Sequence, residues 1–197
     1  MKLVVIKYNA GNIRSVLFAL ERIGVEAQVT DEPDTIVAAD KVIFPGVGEA
    51  STAMQYLRDR KLDLLIRNLK QPVLGICLGL QLMCNHSEEN NTECLGIFEE
   101  VVKKFKPQKD QLLKVPQIGW NNIYDLKTPL FKNVEDSSFC YFVHGYYAGL
   151  GSDTIARTDY IQPYSSGLHK NNFYGVQFHP EKSAATGEQI LKNFIQI

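Results

Sequence analysis

Residues 72–81 have the sequence Pro72-Val73-Leu74-Gly75-Ile76-Cys77-Leu78-Gly79-Leu80-Gln81. This stretch predicts a short apolar strand that ends in a tight turn and leads into a helix. The glycines around the turn allow a bend so sharp that the Cys77 side chain stands at the carboxyl end of the strand. A cysteine placed there is a candidate nucleophile for attack on a carbonyl carbon. Taken alone, the motif fits a buried core cysteine equally well, because cysteine is among the most buried residue types.

A second motif lies near the carboxyl end, where residues 175–183 have the sequence Gly-Val-Gln-Phe-His-Pro-Glu-Lys-Ser. Residues two apart in an extended segment point to the same side, so we expect Glu181 to accept the Nδ1–H of His179. Nε2 of His179 is then free to take a proton from Cys77, which completes a candidate Cys-His-Glu triad. In a parallel α/β sheet both strands would end at the same edge, where such sites assemble.

A third motif, Phe-Pro-Gly-Val-Gly-Glu at residues 44–49, follows a predicted strand over residues 41–44. By itself it fits an ordinary β-turn with proline and glycine. Beside a cysteine turn, its glycines let a backbone N–H face a developing oxyanion. We expect the N–H groups of Val47 and Leu78 to be the two oxyanion donors.

The three motifs occur in this order within 197 residues and resemble those of the class I (triad) glutamine amidotransferases. The resemblance spans nearly the whole chain. Four further stretches resemble one subfamily, the glutaminase subunit of imidazole glycerol phosphate synthase from histidine biosynthesis: residues 9–16, 116–121, 143–147 and 178–183. Two residues depart from the family pattern, Gln117 in place of histidine and Gly145 in place of a small hydroxyl residue.

The resemblance implies hydrolysis of glutamine to glutamate and ammonia by Cys77, His179 and Glu181, without a metal or a cofactor. It also implies a set of glutamine-binding residues: Gly46, Gly48, Gln81, Glu89, His144, Gly145 and Tyr146. From the sequence alone, Glu89 fits a solvated acid in an acidic run, and His144 fits a structural histidine.

Ammonia is protonated at neutral pH and is then no nucleophile, so a glutaminase gains from a sealed path to an acceptor. A chain of this length leaves little room for a second catalytic domain, and we expect the acceptor site on another polypeptide. The resemblance implies that this partner is the (β/α)8-barrel cyclase subunit, in a heterodimer. The residues expected at the interface are Asn12, Trp120, Tyr141 and Lys182.

Three alternatives stay open at this point. A cysteine peptidase or chaperone-like hydrolase uses the same turn, but there the residue after the nucleophile is typically histidine, and here it is Leu78. A binding subunit without catalysis is disfavoured by the complete triad. A class I amidotransferase for another acceptor, such as anthranilate synthase, pyridoxal phosphate synthase or a surface-sugar enzyme, is the nearest rival, although residues 9–12 and 119–121 favour histidine biosynthesis.

The composition of the chain limits its possible binding partners and cellular location. The formal net charge of −1 implies neither a nucleic-acid nor a membrane surface. The first residues predict a short strand and not a signal peptide, so we expect a cytoplasmic protein with reduced thiols. The four cysteines have no paired spacing for zinc or disulfides, and Cys84, Cys94 and Cys140 are expected in the core.

The order of the apolar segments predicts an α/β fold with a mostly parallel central sheet, helices on both faces and an antiparallel portion. The resemblance implies that the fold is of the flavodoxin-like type. In the first half we predict strands over 3–8, 25–30, 41–44 and 73–77, and helices over 13–23, 33–38, 51–69 and 78–84. In the second half we predict strands over 96–105, 120–124, 139–143, 154–158 and 173–178, and a helix over 187–195. No linker is visible, so one amidotransferase domain over residues 1–197 is expected.

Overall fold

Strands and helices alternate along the first half of the chain, as seen in a computed structural model that describes residues 1–9, 11–107 and 112–197. In chain order these elements are β1 (Leu3–Ile6), α1 (Ile13–Arg22), β2 (Ala27–Thr30), α2 (Pro33–Val37), β3 (Lys41–Gly46), α3 (Ala50–Asp59), α4 (Leu62–Arg67), β4 (Val73–Cys77) and α5 (Leu78–Met83).

Strands predominate in the second half. In chain order they are β5 (His86–Ser87), β6 (Thr92–Glu93), β7 (Val101–Lys104), β8 (Gln117–Ile123), β9 (Ser138–His144), β10 (Tyr146–Ala148), β11 (Thr154–Asp159), β12 (Pro163–Lys170) and β13 (Phe173–Val176), followed by helix α6 (Ala184–Gln196). Three short 3-10 helices lie at Glu89–Asn91, Pro129–Phe131 and Pro180–Lys182.

The described strands form one large mixed sheet and one small sheet. One side of the large sheet, starting from its edge strand β2, has the order β2-β1-β3-β4-β13, and every pair in it is parallel. Beyond β13 the sheet continues with β12, β10, β7, β5 and β6, where antiparallel pairs predominate. Strands β8 and β9 form a separate antiparallel hairpin. The predicted α/β class, with its parallel centre and antiparallel portion, is confirmed.

Two hydrophobic clusters cover opposite faces of the sheet. Successive side chains of a strand alternate between the faces, so Val4 and Ile6 join the cluster under α3, α4 and α5. Leu3 and Val5 join the cluster under α1 and α6. Because both faces are covered, all four residues of β1 are buried, as expected for a central parallel strand.

The parallel register brings three loops to one edge of the sheet. Gly46 at the end of β3 pairs with Cys77 at the end of β4, and Val176 at the end of β13 pairs with Ile76. The loop after Gly46 and the segment that holds His179 therefore leave the sheet on either side of Cys77. This is the edge at which sites form in open α/β sheets.

Several element boundaries differ from the sequence predictions. The predicted helix over 51–69 is two helices, because Lys61 between α3 and α4 has a left-handed backbone with φ 56°. The predicted strand over 96–105 is confined to β7. Strands β5, β6, β10 and β12 were not predicted. In β12 the buried residues include Ser165 and Ser166, whose polarity hides the strand pattern.

None of the helices within the described ranges combines the length and hydrophobicity that a membrane-spanning segment needs. The single domain over residues 1–197 stays a prediction.

Candidate active site

Cys77 lies at a sharp turn between β4 and α5, with φ 53° and ψ −107°. Such positive φ values are sparsely populated by residues other than glycine and concentrate at functional sites. The turn is tight because α5 lies directly against β3. A Cβ at Gly79 would collide with the carbonyl oxygen of Phe44, so only glycine fits there. Cys77 is 6% exposed and closes one end of a cavity described below.

His179 and Glu181 are in direct contact, and both are buried. His179 Nδ1 lies 2.7 Å from Glu181 Oε1. The expected contact is therefore present, but the extended geometry predicted for it is wrong. Only His179 has an extended backbone, and Glu181 lies in the 3-10 turn Pro180–Lys182. The proline begins this turn, which folds the carboxylate back onto the ring.

The charge environment of His179 favours its imidazolium form. Burial alone would lower the pKa of His179. The negative charge of Cys77, a hydrogen bond with Cys77, and the Glu181 carboxylate outweigh burial and raise the pKa well above its ordinary value. Because Nδ1 donates to Glu181, Nε2 is the ring nitrogen available to Cys77. The imidazole is therefore suited to act as a proton donor beside Cys77.

Two side chains near the start of the chain support Glu181 from behind. Asn12 Nδ2 donates to Glu181 Oε1 at 3.4 Å, and Arg22 Nη2 donates to the Glu181 backbone oxygen at 3.5 Å. Both contacts are long and therefore weak. Asn12, expected at a partner interface, is half-buried beside the candidate triad.

A cavity of about 330 Å³ opens above Cys77 and His179. Its wall holds most of the residues that the sequence indicated, together with two that it did not, Pro116 and Val143. The indicated residues in the wall are Val47, Gly48, Cys77, Leu78, Gln81, Glu89, His144, Gly145, Tyr146, His179 and Lys182. Gly46 lies next to the wall, under the loop that carries Val47.

The loop after β3 is anchored at its start. The Tyr8 hydroxyl donates to the backbone oxygen of Pro45 at 2.6 Å. Gly46 is packed so closely that a Cβ there would approach both the Tyr8 hydroxyl oxygen and the Leu78 Cβ to 2.6 Å. This packing places the next residue, Val47, beside the Cys77 turn, with its side chain partly exposed. Sequence reasoning missed Tyr8, because its partner lies 37 residues away.

Glu89 is not a solvated acid. Its Oε2 accepts the backbone N–H of Ala50 at 2.8 Å, at the start of α3. Burial raises the pKa of the Glu89 carboxyl, although the hydrogen bond from Ala50 opposes this. Glu89 lines the cavity, where its carboxylate can attract a cationic group.

His144 is a buried neutral histidine. Its Nδ1 lies 2.7 Å from the backbone oxygen of Tyr146, which only accepts hydrogen bonds, so Nδ1 carries the proton. Its Nε2 lies 3.2 Å from the Tyr164 hydroxyl. Burial is the main cause that lowers the pKa of His144 to about 4, although the Tyr146 backbone oxygen opposes it. The ring therefore orients the segment of the wall that contains Gly145.

The β8–β9 hairpin presents an exposed apolar face beside the cavity. Trp120 pairs with Tyr141 in the register, and their rings meet edge to face at 5.9 Å between centroids. Ile118 and Phe139 lie on the same face and are exposed. Val143, opposite Ile118, lines the cavity. The face thus leads to the rim of the candidate site, where Lys182 is also exposed.

Comparison with known proteins agrees with this geometry. Residues 4–197 match the family model described as glutamine amidotransferase class-I. The imidazole glycerol phosphate synthase subunit HisH of Bacteroides fragilis is 58% identical over the full length of both chains. HisH of Escherichia coli K12 is 44% identical, again over the full length of both. The chain belongs to the class I glutamine amidotransferases and, among them, to the HisH family.

The fold is also that of a solved glutamine amidotransferase. A crystal structure titled glutamine amidotransferase superposes with a TM-score of 0.75 at 17% identity and covers 100% of this chain and 98% of its own. The predicted resemblance is thus confirmed at the level of family and fold.

The two departures from the amidotransferase pattern are accommodated in the structure. A Cβ at Gly145 would find only ordinary contacts with Val115 and Pro116, at 3.7 and 3.9 Å, so the smaller residue relieves no clash. Gln117 is buried and lies 3.0 Å from the Tyr164 hydroxyl, which in turn contacts His144. Gln117 therefore supports the cavity wall from behind and does not line it.

Proposed function

We propose that this chain is the glutaminase subunit of an imidazole glycerol phosphate synthase. It hydrolyses glutamine and passes the ammonia to a cyclase subunit, which forms imidazole glycerol phosphate and aminoimidazole carboxamide ribotide in histidine biosynthesis. One observation carries the proposal: the strained Cys77 turn and the buried His179–Glu181 pair meet at one cavity. The full-length similarity to HisH of two bacteria supports the choice of acceptor.

In the proposed mechanism the Cys77 thiolate attacks the side-chain amide carbon of glutamine. The C=O electron pair moves to oxygen, and the N–H groups of Val47 and Leu78 hold the oxyanion. His179 gives its proton to the leaving nitrogen as the C–N bond breaks, which releases ammonia and leaves a γ-glutamyl thioester. His179 then takes a proton from water, and the hydroxide attacks the thioester carbon. The C–S bond breaks, which releases glutamate and returns Cys77 as a thiolate beside the protonated His179. Glu181 keeps the imidazole in the required tautomer.

The substrate's polar ends match the charges of the cavity wall. The Glu89 carboxylate is suited to the α-ammonium group, and Gln81 to a polar group near Cys77. The backbone around Gly48, Gly145 and Tyr146 supplies further hydrogen-bonding groups, and His144 fixes the last of these segments.

The apolar hairpin face is the proposed docking surface for the cyclase. Exposed aromatic residues are typical of interface centres. Trp120 and Tyr141 lie on this face, and Lys182 lies on the rim of the same cavity. Asn12 stays an expected interface residue, and it also contacts Glu181. Docking at this rim would cover the cavity and give ammonia a path that excludes water.

A cytoplasmic location belongs to the same proposal. All four cysteines are free and buried, including Cys84, Cys94 and Cys140 as predicted. The cytoplasm keeps thiols reduced, which suits a thiolate nucleophile.

The test mixes the purified chain with the cyclase subunit of the same organism, glutamine and the acceptor nucleotide. We expect imidazole glycerol phosphate to form with one glutamate per product. Trp120→Ala should weaken the complex, whereas Leu64→Ala, an equally exposed change on α4, should not. If the cyclase works with ammonium salt but never with this chain and glutamine, the chain serves another acceptor.

A further inference from the structure

Gln177 is a fully buried residue that the proposed mechanism does not use. It lies two residues before His179, and its exposed fraction is 0%. Its side chain bridges two residues of the candidate site. Gln177 Oε1 lies 2.9 Å from Gln81 Nε2, and Gln177 Nε2 lies 3.7 Å from Cys77 Sγ.

A backbone carbonyl determines which end of the Gln177 amide is oxygen and which is nitrogen. Gln81 Nε2 also lies 2.9 Å from the Tyr146 oxygen, which only accepts hydrogen bonds. The nitrogen end of Gln81 is thereby fixed, and the Gln177 atom that faces it must be the amide oxygen. Gln177 Nε2 consequently faces the sulfur. Both amide hydrogens of Gln81 are used by the protein, so Gln81 presents its carbonyl oxygen to a ligand.

The sulfur of Cys77 has one neutral donor and one acceptor beside it. The acceptor is the backbone oxygen of Val143, 3.8 Å away, which a protonated thiol can donate to. The donor is Gln177 Nε2. Loss of the thiol proton removes the first hydrogen bond and strengthens the second, since hydrogen bonds to charged groups are about twice as strong as neutral ones. The Gln177 amide therefore favours the thiolate.

We propose that Gln177 is a positioning residue, which donates a hydrogen bond to the Cys77 thiolate and ties the orientation of that donor to Gln81. The inference rests on the proposed glutaminase function only for its effect on turnover. The effect on the sulfur itself is independent of any substrate.

The test is the rate of Cys77 alkylation by iodoacetamide between pH 5 and 10, on the full chain, with the alkylated peptide identified by mass spectrometry. In Gln177→Met, which keeps the length of the side chain, we expect the midpoint of the pH profile to move upward by about one pH unit. Gln55→Met, on the exposed face of α3, is the matched control and should leave the midpoint unchanged.

Two further variants keep the test decisive if Gln177→Met misfolds. Gln177→Glu keeps the acceptor for Gln81 but places a carboxylate beside the sulfur, so its midpoint should move further upward than that of Gln177→Met. Gln81→Met leaves the Gln177 amide free to rotate and should cause a smaller upward shift. The variants that count are those whose thermal unfolding temperature equals that of the wild type. An unchanged midpoint in any of them overturns the proposal.

Turnover separates this inference from the proposed function. With the cyclase present, Gln177→Met should lower kcat for glutamine about tenfold and change KM little. If the wild-type chain hydrolyses no glutamine, the proposed function fails, while the alkylation profiles still decide the role of Gln177.

Discussion

His179 Nδ1 and Glu181 Oε1 lie 2.7 Å apart in a buried contact that a single 3-10 turn creates. The turn starts at Pro180, whose fixed backbone angle suits the first position of a helical turn. The contact leaves the other ring nitrogen available to Cys77, and Cys77 and Glu181 together raise the pKa of the imidazole against the effect of burial. The geometry therefore predicts distinct roles for the three residues.

Cys77→Ser should abolish glutamine hydrolysis and leave ammonia-dependent synthesis by the complex intact. The reason is that Cys77 serves only the release of ammonia, whereas the cyclase binds the acceptor. The measurement compares product formation with glutamine and with excess ammonium salt at alkaline pH. Substantial glutamine turnover by the variant would show that Cys77 is not the nucleophile.

Glu181→Gln should lower kcat less than His179→Ala does, because His179 transfers the protons itself. We expect the kcat of Glu181→Gln to exceed that of His179→Ala by at least about tenfold. The variant should also bring the pKa of His179 down, since the carboxylate is one of the causes that raise it. Steady-state kinetics and histidine NMR titration measure the two effects. Equal losses in the two variants, with native circular dichroism, contradict the assignment of roles.

His144 should make stability depend on pH. Its pKa is lowered to about 4 in the folded state, so its contribution is present above the ordinary value of 6.5 and is lost as the pH falls through 4. The difference in unfolding free energy between wild type and His144→Gln should shrink by roughly 3 kcal/mol from pH 7 to pH 4. Urea unfolding at several pH values measures it. A difference that stays constant would mean that His144 is not held neutral.

Glu49 should stabilise the start of α3. Its side chain accepts the N–H groups of Ser51 and Thr52 at 2.7 and 2.9 Å. Burial would raise the pKa of Glu49, but these hydrogen bonds and those from the Ser51 hydroxyl and Asn90 lower it to about 2. We expect Glu49→Ala to lower the unfolding free energy by about 1 kcal/mol at pH 7.

The same contribution should be lost as the pH falls from 4.5 through 2, where the carboxylate becomes protonated. Glu188→Ala is the control, because its ion pair with Lys192 is exposed and contributes little. If both variants lose the same stability at pH 7, the capping role of Glu49 is wrong.

The chain alone should be a poor glutaminase that its partner activates when the acceptor nucleotide is bound. The Val47 N–H belongs to the peptide that joins Gly46 to Val47, and Gly48 follows directly. These two glycines permit more than one orientation of that N–H. A missing oxyanion donor lowers turnover by about 100- to 1000-fold. Glutamate release is compared for the chain alone, with the cyclase, and with cyclase and nucleotide. Equal rates in all three would exclude such a switch.

The sequence alone indicated the α/β class and most residues of the cavity wall, but not Pro116 and Val143. This was possible because motifs such as residues 72–81 combine strand, turn and reactive side chain in adjacent positions, where local chemistry fixes the geometry. It failed where polar residues are buried, as in β12, and where one residue breaks a helix, as at Lys61. Neither buried polar residues nor a single helix-breaking residue can be recognised from the spacing of apolar residues.

The supporting contacts were decided by the tertiary structure. Asn12 meets Glu181 across 169 residues of chain, and Gln177 meets Cys77 across 100. The parallel register of β1, β3, β4 and β13 brings these segments to one edge of the sheet. A sequence motif specifies which groups can react, because its residues are adjacent in the chain. Which buried donor faces each of them depends on packing between distant segments, and no local pattern encodes that.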